Sequence, residues 1–463
     1  MLDRVLQMID AGRAESLARL TDFLRIPSVS TKPDHAKHMK ECAEWLHWEL
    51  DNIELDAKVM ATGGHPIVLA KNAHVPGRPT VLIYGHYDVQ PPEPLELWTT
   101  PPFEPTVRDG AIYARGACDD KGQVWAHVQA LAAWQRVGKE AGGGLPINVT
   151  FLIEGEEEVG SENLERFVHA RREELRADIA LISDTNQFAP GVPAVTYGLR
   201  GLCYMEVFLT GPSHDLHSGL YGGAVPNPAN VLCELLGFLH DKDGRVTLPG
   251  FYDDVVPLTT AERDAWRKLP FDEREFAAGL GLSEGSGEAG YSSLERKWAR
   301  PTLDINGLTS GYQGPGAKTV IPSKASAKVS MRLVANMDPA KVQASFEKAL
   351  RERCPKNVKI EFKQHGLSGP VLVPIDSPAT RLAAEALELG FGRKPTFMRE
   401  GGSIPVVGLI KRELGIDTLL VGFALPDDRI HSPNERFGLD ALHNGTRTAA
   451  ALYEKLAKLH EPS

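Results

Sequence analysis

The stretch that decides the fold is TVLIYGHYD, residues 80–88. A short apolar run ends at a glycine and is followed by His86 and Asp88. Continuous apolar runs of this length predict a strand that is buried on both faces, as strands of parallel sheets are. In such sheets the functional side chains collect beyond the carboxyl ends of the strands. The stretch therefore predicts an α/β fold with a polar site at the end of this strand.

Two further apolar runs repeat this arrangement. Residues 147–153 precede Glu157 and Glu158, and residues 179–183 precede Asp184. Helical patterns precede the first of these runs and separate the others. They cover residues 5–24, 123–137 and 164–175. Strands that alternate with helices predict a mainly parallel sheet with helices on both faces. We expect the polar residues to meet at one edge of that sheet.

The middle of the chain has a different pattern. Residues 203–209 and 325–334 alternate like half-exposed strands, and helical patterns cover 226–239 and 339–353. This predicts an α+β unit with an antiparallel sheet. From residue 377 onward the α/β pattern returns. We therefore predict one discontinuous domain, residues 1–198 and 371–463, with a second domain inserted at residues 199–370.

Composition excludes several classes of protein. The chain has 463 residues and a formal net charge of −10, which argues weakly against nucleic acid as a partner. The five cysteines show no Cys-x-x-Cys spacing, so neither a disulfide framework nor a thiolate zinc site is expected. Charges at Asp3 and Arg4 do not fit a signal peptide, and no apolar run reaches the ~20 residues of a membrane helix. We expect a cytoplasmic protein without membrane contact.

Five short clusters carry histidine and carboxylate side chains, namely residues 85–88, 116–122, 154–160, 183–184 and 428–432. Together they supply oxygen and imidazole donors for two divalent cations, with one carboxylate left to act as a base. That combination predicts metal-assisted hydrolysis. Each cluster alone has a simpler explanation. A single histidine is more often a hydrogen-bonded loop residue, Asp119 or Asp120 could cap a helix, and the run Glu156–Glu158 could be a solvated surface.

A separate segment, residues 399–405, places Gly401, Gly402 and Ser403 at a predicted helix start. Helix N-termini bind anions through their free N–H groups, so a substrate carboxylate is one possible occupant. An ordinary turn and helix cap explain the same pattern equally well.

The order of these clusters resembles that of the co-catalytic dimetal metallopeptidases, and the resemblance covers nearly the whole chain. Relatives in that family include aminoacylase and succinyl-diaminopimelate desuccinylase. The forms present here are most similar to the branch of carnosinase-type and cytosolic nonspecific dipeptidases. The segments that carry the resemblance are residues 85–91, 115–122, 197–201, 215–223 and 317–322.

The resemblance implies a catalytic domain with an inserted lid and dimerisation domain, and two metal ions, zinc or manganese. The implied ligands are His86, Asp119, Glu158, Asp184 and His431, with Asp119 bridging the two ions. Glu157 would be the general base and Asp88 would support His86. His217 would complete the active site of the partner subunit in a homodimer, and Thr319, Arg332 and Ser403 would hold substrate. The peptide bond between Asp119 and Asp120 would be cis.

The predicted function is therefore that of a metallopeptidase, a dipeptidase that cleaves the amide bond of dipeptides or similar short peptides with a free C-terminal carboxylate. Two alternatives remain open from the sequence. An N-acyl amino-acid deacylase would share every catalytic residue, and a non-catalytic peptide-binding protein could use the same scaffold.

Overall fold

The computed structural model describes residues 1–461, which form two compact units. The first unit contains Met1–Tyr197, Val373–Met398 and the chain from Leu409 onward. The second contains Gly198–Leu372 together with Arg399–Gly408. This last segment clusters with the second unit although it lies within the final predicted segment of the discontinuous domain.

The helices, in chain order, are α1 (Leu2–Ala11), α2 (Arg13–Leu24), α3 (Ala36–Asn52), α4 (Lys121–Glu140), α5 (Leu164–Ala170), α6 (Ser218–Tyr221), α7 (Pro228–Gly237), α8 (Thr260–Arg267), α9 (Glu273–Gly279), α10 (Ser293–Ala299), α11 (Pro339–Arg353), α12 (Pro378–Phe391), α13 (Pro405–Leu414) and α14 (Leu439–Leu456). Short 3₁₀ helices cover Pro33–His35, Leu95–Leu97 and Glu157–Val159.

The strands are β1 (Asp56–Met60), β2 (Ile67–Lys71), β3 (Thr80–His86), β4 (Thr106–Arg108), β5 (Ala111–Tyr113), β6 (Asn148–Glu154), β7 (Ile179–Ile182), β8 (Ala194–Leu199), β9 (Gly201–Thr210), β10 (Leu216–His217), β11 (Thr302–Ser310), β12 (Val320–Ile321), β13 (Lys324–Leu333), β14 (Lys359–Ser368), β15 (Val371–Leu372), β16 (Thr396–Glu400), β17 (Thr418–Leu420) and β18 (Arg436–Gly438).

The main sheet of the first unit has the strand order β1-β2-β6-β3-β7-β17-β8. Its centre, β6-β3-β7-β17, is parallel, while β1, β2 and β8 pair antiparallel at the edges. The predicted α/β class is confirmed, with a sheet that is mixed because antiparallel strands flank its parallel centre. All of β6 is buried, as expected for a strand with helices on both faces.

The helical cover of this sheet follows from long apolar faces. Most residues of α4 are buried, and α4 and α14 both contribute to the continuous core of the first unit. The prediction of one helix over residues 5–24 is wrong in one detail, because the helix breaks at Gly12 between α1 and α2. Glycine stabilises a helix less than any residue except proline, which explains why the break falls there.

The second unit is built on an antiparallel sheet of order β11-β13-β9-β14. Along β9 buried and half-buried residues alternate strictly, as the sequence predicted for a strand with one covered face. Helices α7 and α11 pack against this sheet and share its core. A separate two-stranded antiparallel sheet pairs β10 with β12.

Among residues 1–461, no helix combines the length and the apolar character needed to cross a bilayer.

Candidate metal centre

Three neighbouring parallel strands deliver the predicted ligands of the first unit to one edge of the sheet. His86 is the last residue of β3, the Glu157–Val159 turn follows β6, and Asp184 follows β7. Strand β3 lies between the other two. A glycine at position 85 lets the start of α4 pack closely against β3. A Cβ atom at this position would lie 2.9 Å from Asp120 Oδ2 and 2.4 Å from a methyl group of Val124.

The first group of candidate ligands is His86, Asp119 and Asp184, whose ligand atoms all lie within 4.8 Å of one another. His86 Nε2 is 3.1 Å from Asp119 Oδ1 and 3.9 Å from Asp184 Oδ2. The Nε2 atom is buried and has no hydrogen-bond partner among residues 1–461. A buried imidazole nitrogen that points at two carboxylates without bonding to them fits the geometry of shared metal ligands.

The second group is Asp119, Glu158 and His431, again with ligand atoms within 4.8 Å of one another. His431 Nε2 lies 3.0 Å from Asp119 Oδ2 and 3.3 Å from Glu158 Oε2. Gln90 donates a hydrogen bond of 2.7 Å to Glu158 Oε2, which fixes the orientation of that carboxylate. Asp119 therefore presents one oxygen to each histidine, and the two groups share it.

The charge of the site also favours cations. Burial, and next the Asp119 carboxylate, raise the pKa of Asp184 to about 7. The carboxylates of Asp119 and Glu158 raise the pKa of His431 to about 10. Burial alone would lower the pKa of His86, but the Asp119 and Asp88 carboxylates outweigh it and raise that pKa well above its ordinary value. Divalent cations would replace these protons as the source of positive charge, so binding should release protons.

The three adjacent glutamates after β6 have different surroundings. Glu156 accepts hydrogen bonds from the His65 N–H at 3.0 Å and from Asn163 Nδ2 at 2.8 Å, so it holds the loop. Glu158 faces His431. The Glu157 carboxylate makes no hydrogen bond or ion pair with any residue in the part of the chain that the structure describes. Burial, and then the nearby Asp184, Glu158 and Asp119 carboxylates, raise its pKa well above the ordinary value.

Asp88 is fully buried beside His86. The backbone carbonyl of Asp88 lies 3.0 Å from His86 Nδ1, whereas its carboxylate lies 3.4 Å from that atom. The carboxylate instead accepts the backbone N–H groups of Glu157 at 3.2 Å and Glu158 at 3.1 Å. One residue thus holds both the imidazole and the glutamate turn.

Asp119 belongs to both ligand groups, and Asp120 does not provide the side-chain helix cap that the simpler explanation expected. Asp120 stands at the N-cap of α4, but its side chain makes no capping bond and accepts the His86 N–H at 3.2 Å. The predicted cis peptide bond between Asp119 and Asp120 is confirmed.

The remaining predicted residues lie in the second unit, where they form two pairs. His217 and Thr319 are both exposed. His217 ends β10, Thr319 directly precedes β12, and the Ser218 N–H donates to the Thr319 carbonyl at 3.1 Å. The Gly219 N–H donates to His217 Nδ1 at 3.0 Å. The neutral imidazole therefore carries its proton on Nε2.

Arg332 and Ser403 form the other pair, with a hydrogen bond of 3.0 Å from Arg332 to the Ser403 hydroxyl. The Ser403 hydroxyl in turn donates to the carbonyl of Arg200, and Arg200 Nε donates to the Gly401 carbonyl at 3.0 Å. Burial, and next the charge of Arg332, lower the pKa of Arg200 to about 10. Two guanidinium groups close to one turn make this an environment that favours an anion.

Sequence reasoning named no role for Arg200, Gln90 or Glu435. Arg200 and Gln90 stand inside segments that carried the family resemblance, and this was the available signal for them. Glu435 lies outside every motif, and its contacts join parts of the chain more than 300 residues apart. No local pattern could have found it.

Comparison with known proteins agrees with this site. The sequence profile described as "Peptidase family M20/M25/M40" matches residues 82–455. The Cys-Gly metallodipeptidase dug1 of Schizosaccharomyces pombe is 33% identical over 475 residues, covering 99% of each chain. The crystal structure of human carnosine dipeptidase 1 superposes with a TM-score of 0.85 at 30% identity, covering 99% of each chain.

A third relative is the M20-family metallo-carboxypeptidase Sso-CP2 of Sulfolobus solfataricus. Its crystal structure gives a TM-score of 0.85 at 32% identity and covers 96% of this chain and 99% of the other. The fold and the two carboxylate-histidine groups define a metal-dependent hydrolase. The chain belongs to the peptidase family M20/M25/M40 and is a metallopeptidase.

Proposed function

We propose that this metallopeptidase is a dipeptidase that hydrolyses the amide bond of dipeptides, or of similar short peptides, with a free C-terminal carboxylate. The observation that carries the proposal is the pair of ligand groups that share Asp119, beside a glutamate with no bonding partner. Two of the relatives above are named dipeptidases and the third a carboxypeptidase. Enzymes of both kinds act next to a free C-terminal carboxylate.

His86, Asp119 and Asp184 would hold one divalent cation, and Asp119, Glu158 and His431 the other, with zinc and manganese as the candidates. Both metals suit mixed imidazole and carboxylate ligands. Two such cations would lower the pKa of a water molecule and polarise the carbonyl oxygen of the substrate. Metal binding by this donor set also provides a test that does not depend on turnover.

The side chains of the protein move the proton. Glu157 accepts a proton from the attacking water and returns it to the leaving amine, which requires a carboxylate free of other partners. Asp88 keeps the Glu157 turn in place through the two backbone N–H groups that it accepts.

Substrate recognition is assigned to the second unit. Arg332 and Ser403 would bind the C-terminal carboxylate. The Arg332 guanidinium can donate to both carboxylate oxygens, and the Ser403 hydroxyl would turn its single proton from the Arg200 carbonyl to the ligand. Thr319 would contact the substrate from its position directly before β12. His217 has an Nε2–H group that is free to donate to an oxyanion, because its Nδ1 already accepts the Gly219 N–H.

The deciding experiment compares three substrate types with the metal-reconstituted protein, which are dipeptides, the same dipeptides amidated at the C-terminus, and N-acetyl amino acids. A dipeptidase prefers the free dipeptides. Preference for N-acetyl amino acids identifies the deacylase alternative. No hydrolysis of any of them, with two ions bound, would indicate a binding protein.

We further propose a homodimer in which His217 acts on the active site of the partner subunit. The exposure of His217 and Thr319 in this chain is compatible with that arrangement. Mixing inactive His217→Ala and Glu157→Gln variants tests it, since each mixed dimer would hold one site with both native residues. Activity should recover toward half of the wild-type value per mixed dimer. If subunit exchange is verified by mass spectrometry and activity stays absent, the trans arrangement is rejected.

A further inference from the structure

Glu435 is a fully buried carboxylate four residues beyond His431. Its Oε1 atom accepts the backbone N–H groups of Cys118 at 3.0 Å and Asp119 at 3.1 Å. Its Oε2 atom accepts the Gly116 N–H at 3.0 Å and Arg115 Nη1 at 2.7 Å. Both oxygens are therefore fully used, and all four donors belong to the segment that carries Asp119.

The backbone of Glu435 binds the same segment. The Ala114 N–H donates to the Glu435 carbonyl at 3.2 Å. Arg115, which is also buried, donates on to the Pro91 carbonyl at 3.2 Å. The side chain and the main chain of Glu435 thus both connect residues 114–119 to the loop that carries His431.

That loop does not have a relaxed backbone of its own. Arg429, His431 and Asn434 have φ values of 58°, 64° and 61°, a region that residues other than glycine seldom adopt. Such conformations persist where surrounding contacts hold them. Asn434 contributes by accepting the Thr99 N–H at 2.8 Å and donating to the Leu97 carbonyl at 2.7 Å. Glu435 ties the loop to the backbone of Asp119.

The energetics favour a geometric role over a stabilising one. Burying a carboxylate and a guanidinium costs about as much free energy as their attraction returns, so such pairs add little net stability. Four converging donors, however, set the position of a backbone closely. Metal ligands need this support, because loss of groups that orient them typically weakens metal binding by about 10–100-fold.

We propose that Glu435 is a positioning residue that fixes the spacing between His431 and Asp119 and so determines how tightly the Asp119, Glu158 and His431 group holds its metal ion. The inference rests on the metal centre in the proposed function. His86 and Asp184 are held by strands β3 and β7, and Glu435 contacts neither of them. Asp119 serves both ions, but only the ion of the Asp119, Glu158 and His431 group also depends on the spacing that Glu435 sets. Loss of Glu435 should therefore weaken that ion much more than the other.

The test uses Glu435→Gln in the full chain, stripped of metal and titrated with Mn²⁺ against a competing chelator. Glutamine keeps the size of the side chain but replaces one of the two acceptor oxygens by an NH₂ group. That group cannot accept a hydrogen bond, so the two donors that face it lose their partner. The matched control is Glu288→Gln in the second unit. Glu288 is a buried carboxylate held by Arg300 at 2.7 and 2.8 Å and by Arg245 at 3.0 Å.

Wild type and the Glu288→Gln control should bind two ions, as counted by native mass spectrometry. Glu435→Gln should bind the second ion about 10–100-fold more weakly and change the affinity for the first far less. In a His431→Ala background the same substitution should weaken the second ion much less than it does in the wild type, since the spacing between His431 and Asp119 then no longer matters. If Glu435→Gln does not fold, Glu435→Asp, which keeps the charge but is too short to reach all four donors, should show the same selective weakening.

Two results would overturn the inference. One is binding of both ions with wild-type affinity by the Glu435 variants, and the other is equal weakening of both ions. Failure of the wild-type chain to bind two ions would instead reject the dimetal centre in the proposed function, so the two failures are distinguishable.

Discussion

The metal centre of the first unit and the arginine turn of the second unit have opposite charges. In the first unit several carboxylates face two histidines, and burial, followed by the mutual repulsion of the carboxylates, raises the pKa values of Asp184 and Glu157. In the second unit Arg200 and Arg332 lie near each other, and their repulsion contributes to the lowered pKa of Arg200. One sign of charge predominates in each region, although His86 and His431 in the first and Glu400 and Asp304 in the second offset part of it, so each is suited to a ligand of the opposite charge.

The two regions also differ in how the chain builds them. The ligands of the first unit stand at the ends of buried parallel strands and on the loops that meet them, where the backbone is fixed. His217 and Thr319 of the second unit are exposed and lie at the short antiparallel pair of β10 and β12. A metal centre needs ligand positions fixed to a fraction of an ångström, whereas a substrate site has to release its product. This difference predicts that substitutions in the first unit change metal content, whereas those in the second change substrate preference.

The largest effect is expected from Asp119→Ala. Because Asp119 belongs to both ligand groups, its loss should release both ions or weaken both strongly. Turnover should fall about 10⁴-fold or more, since metal ions supply several kcal/mol of transition-state stabilisation. Metal content by mass spectrometry is the measurement, and Glu158→Ala and Asp184→Ala are the controls, each expected to affect one ion. Two tightly bound ions in Asp119→Ala would refute the shared role.

Glu157→Gln separates chemistry from metal binding. It should keep both ions and lose turnover by roughly 10²–10⁴-fold, the range for loss of a general base. The neighbouring Glu156→Gln is the matched control, since Glu156 is occupied by His65 and Asn163 and should retain most of the turnover. A missing ion in Glu157→Gln would mean that the roles of Glu157 and Glu158 are exchanged.

The sequence predicted the first region well because its signals are local. Each strand is a continuous apolar run, and its ligand follows within a few residues. The type and the position of each element can therefore be predicted from the sequence. The predicted helix at residues 339–353 matches α11 because Asp338 and Pro339 mark its start. The amphipathic pattern of residues 5–24 continues across Gly12, so it did not predict the break between α1 and α2 there.

The parts that could not be predicted depend on distant contacts. The left-handed backbone at His431 follows from bonds that Asn434 and Glu435 make with residues far away in the chain, and no propensity encodes it. The sequence pattern likewise suggested that the Asp88 carboxylate orients His86. The backbone carbonyl of Asp88 is the nearer group, which depends on how the turn after β3 closes.

Arg332→Ala tests the other side of the comparison. It should lower kcat/KM for free dipeptides by an amount equivalent to about 2–4 kcal/mol, because a substrate carboxylate is left without its charged partner. The same substitution should change kcat/KM little for C-terminally amidated dipeptides, and metal content should stay at two ions. Arg267→Ala, a surface arginine of the second unit, is the control. Equal losses on acid and amide substrates would exclude carboxylate recognition by Arg332.

The smallest effect concerns a buried histidine of the first unit that is not a ligand candidate. His127 lies with Nε2 at 2.8 Å from Ser183 Oγ and Nδ1 at 2.8 Å from the Tyr453 hydroxyl. Ser183 donates its single proton to the Val421 carbonyl at 2.7 Å, so Nε2 must be the donor and Nδ1 the acceptor. With no carboxylate bonded to it, the imidazole is neutral, and burial lowers the pKa of His127 to about 3.

A histidine whose pKa is lowered in the folded state stabilises the fold above its unfolded pKa of 6.5, and this contribution is lost as the pH falls below it. Between pH 7 and pH 5 the loss should be about 2 kcal/mol of unfolding free energy. Denaturant unfolding of metal-stripped wild type and His127→Gln at both pH values isolates the contribution of His127 to the unfolding free energy, because the other titrating groups are common to the two proteins. The wild type should lose about 2 kcal/mol more than the variant over this range. Identical pH dependence would show that His127 can accept a proton inside the fold. The contrast between a buried neutral histidine and His86 and His431, which lie beside carboxylates, would then fail.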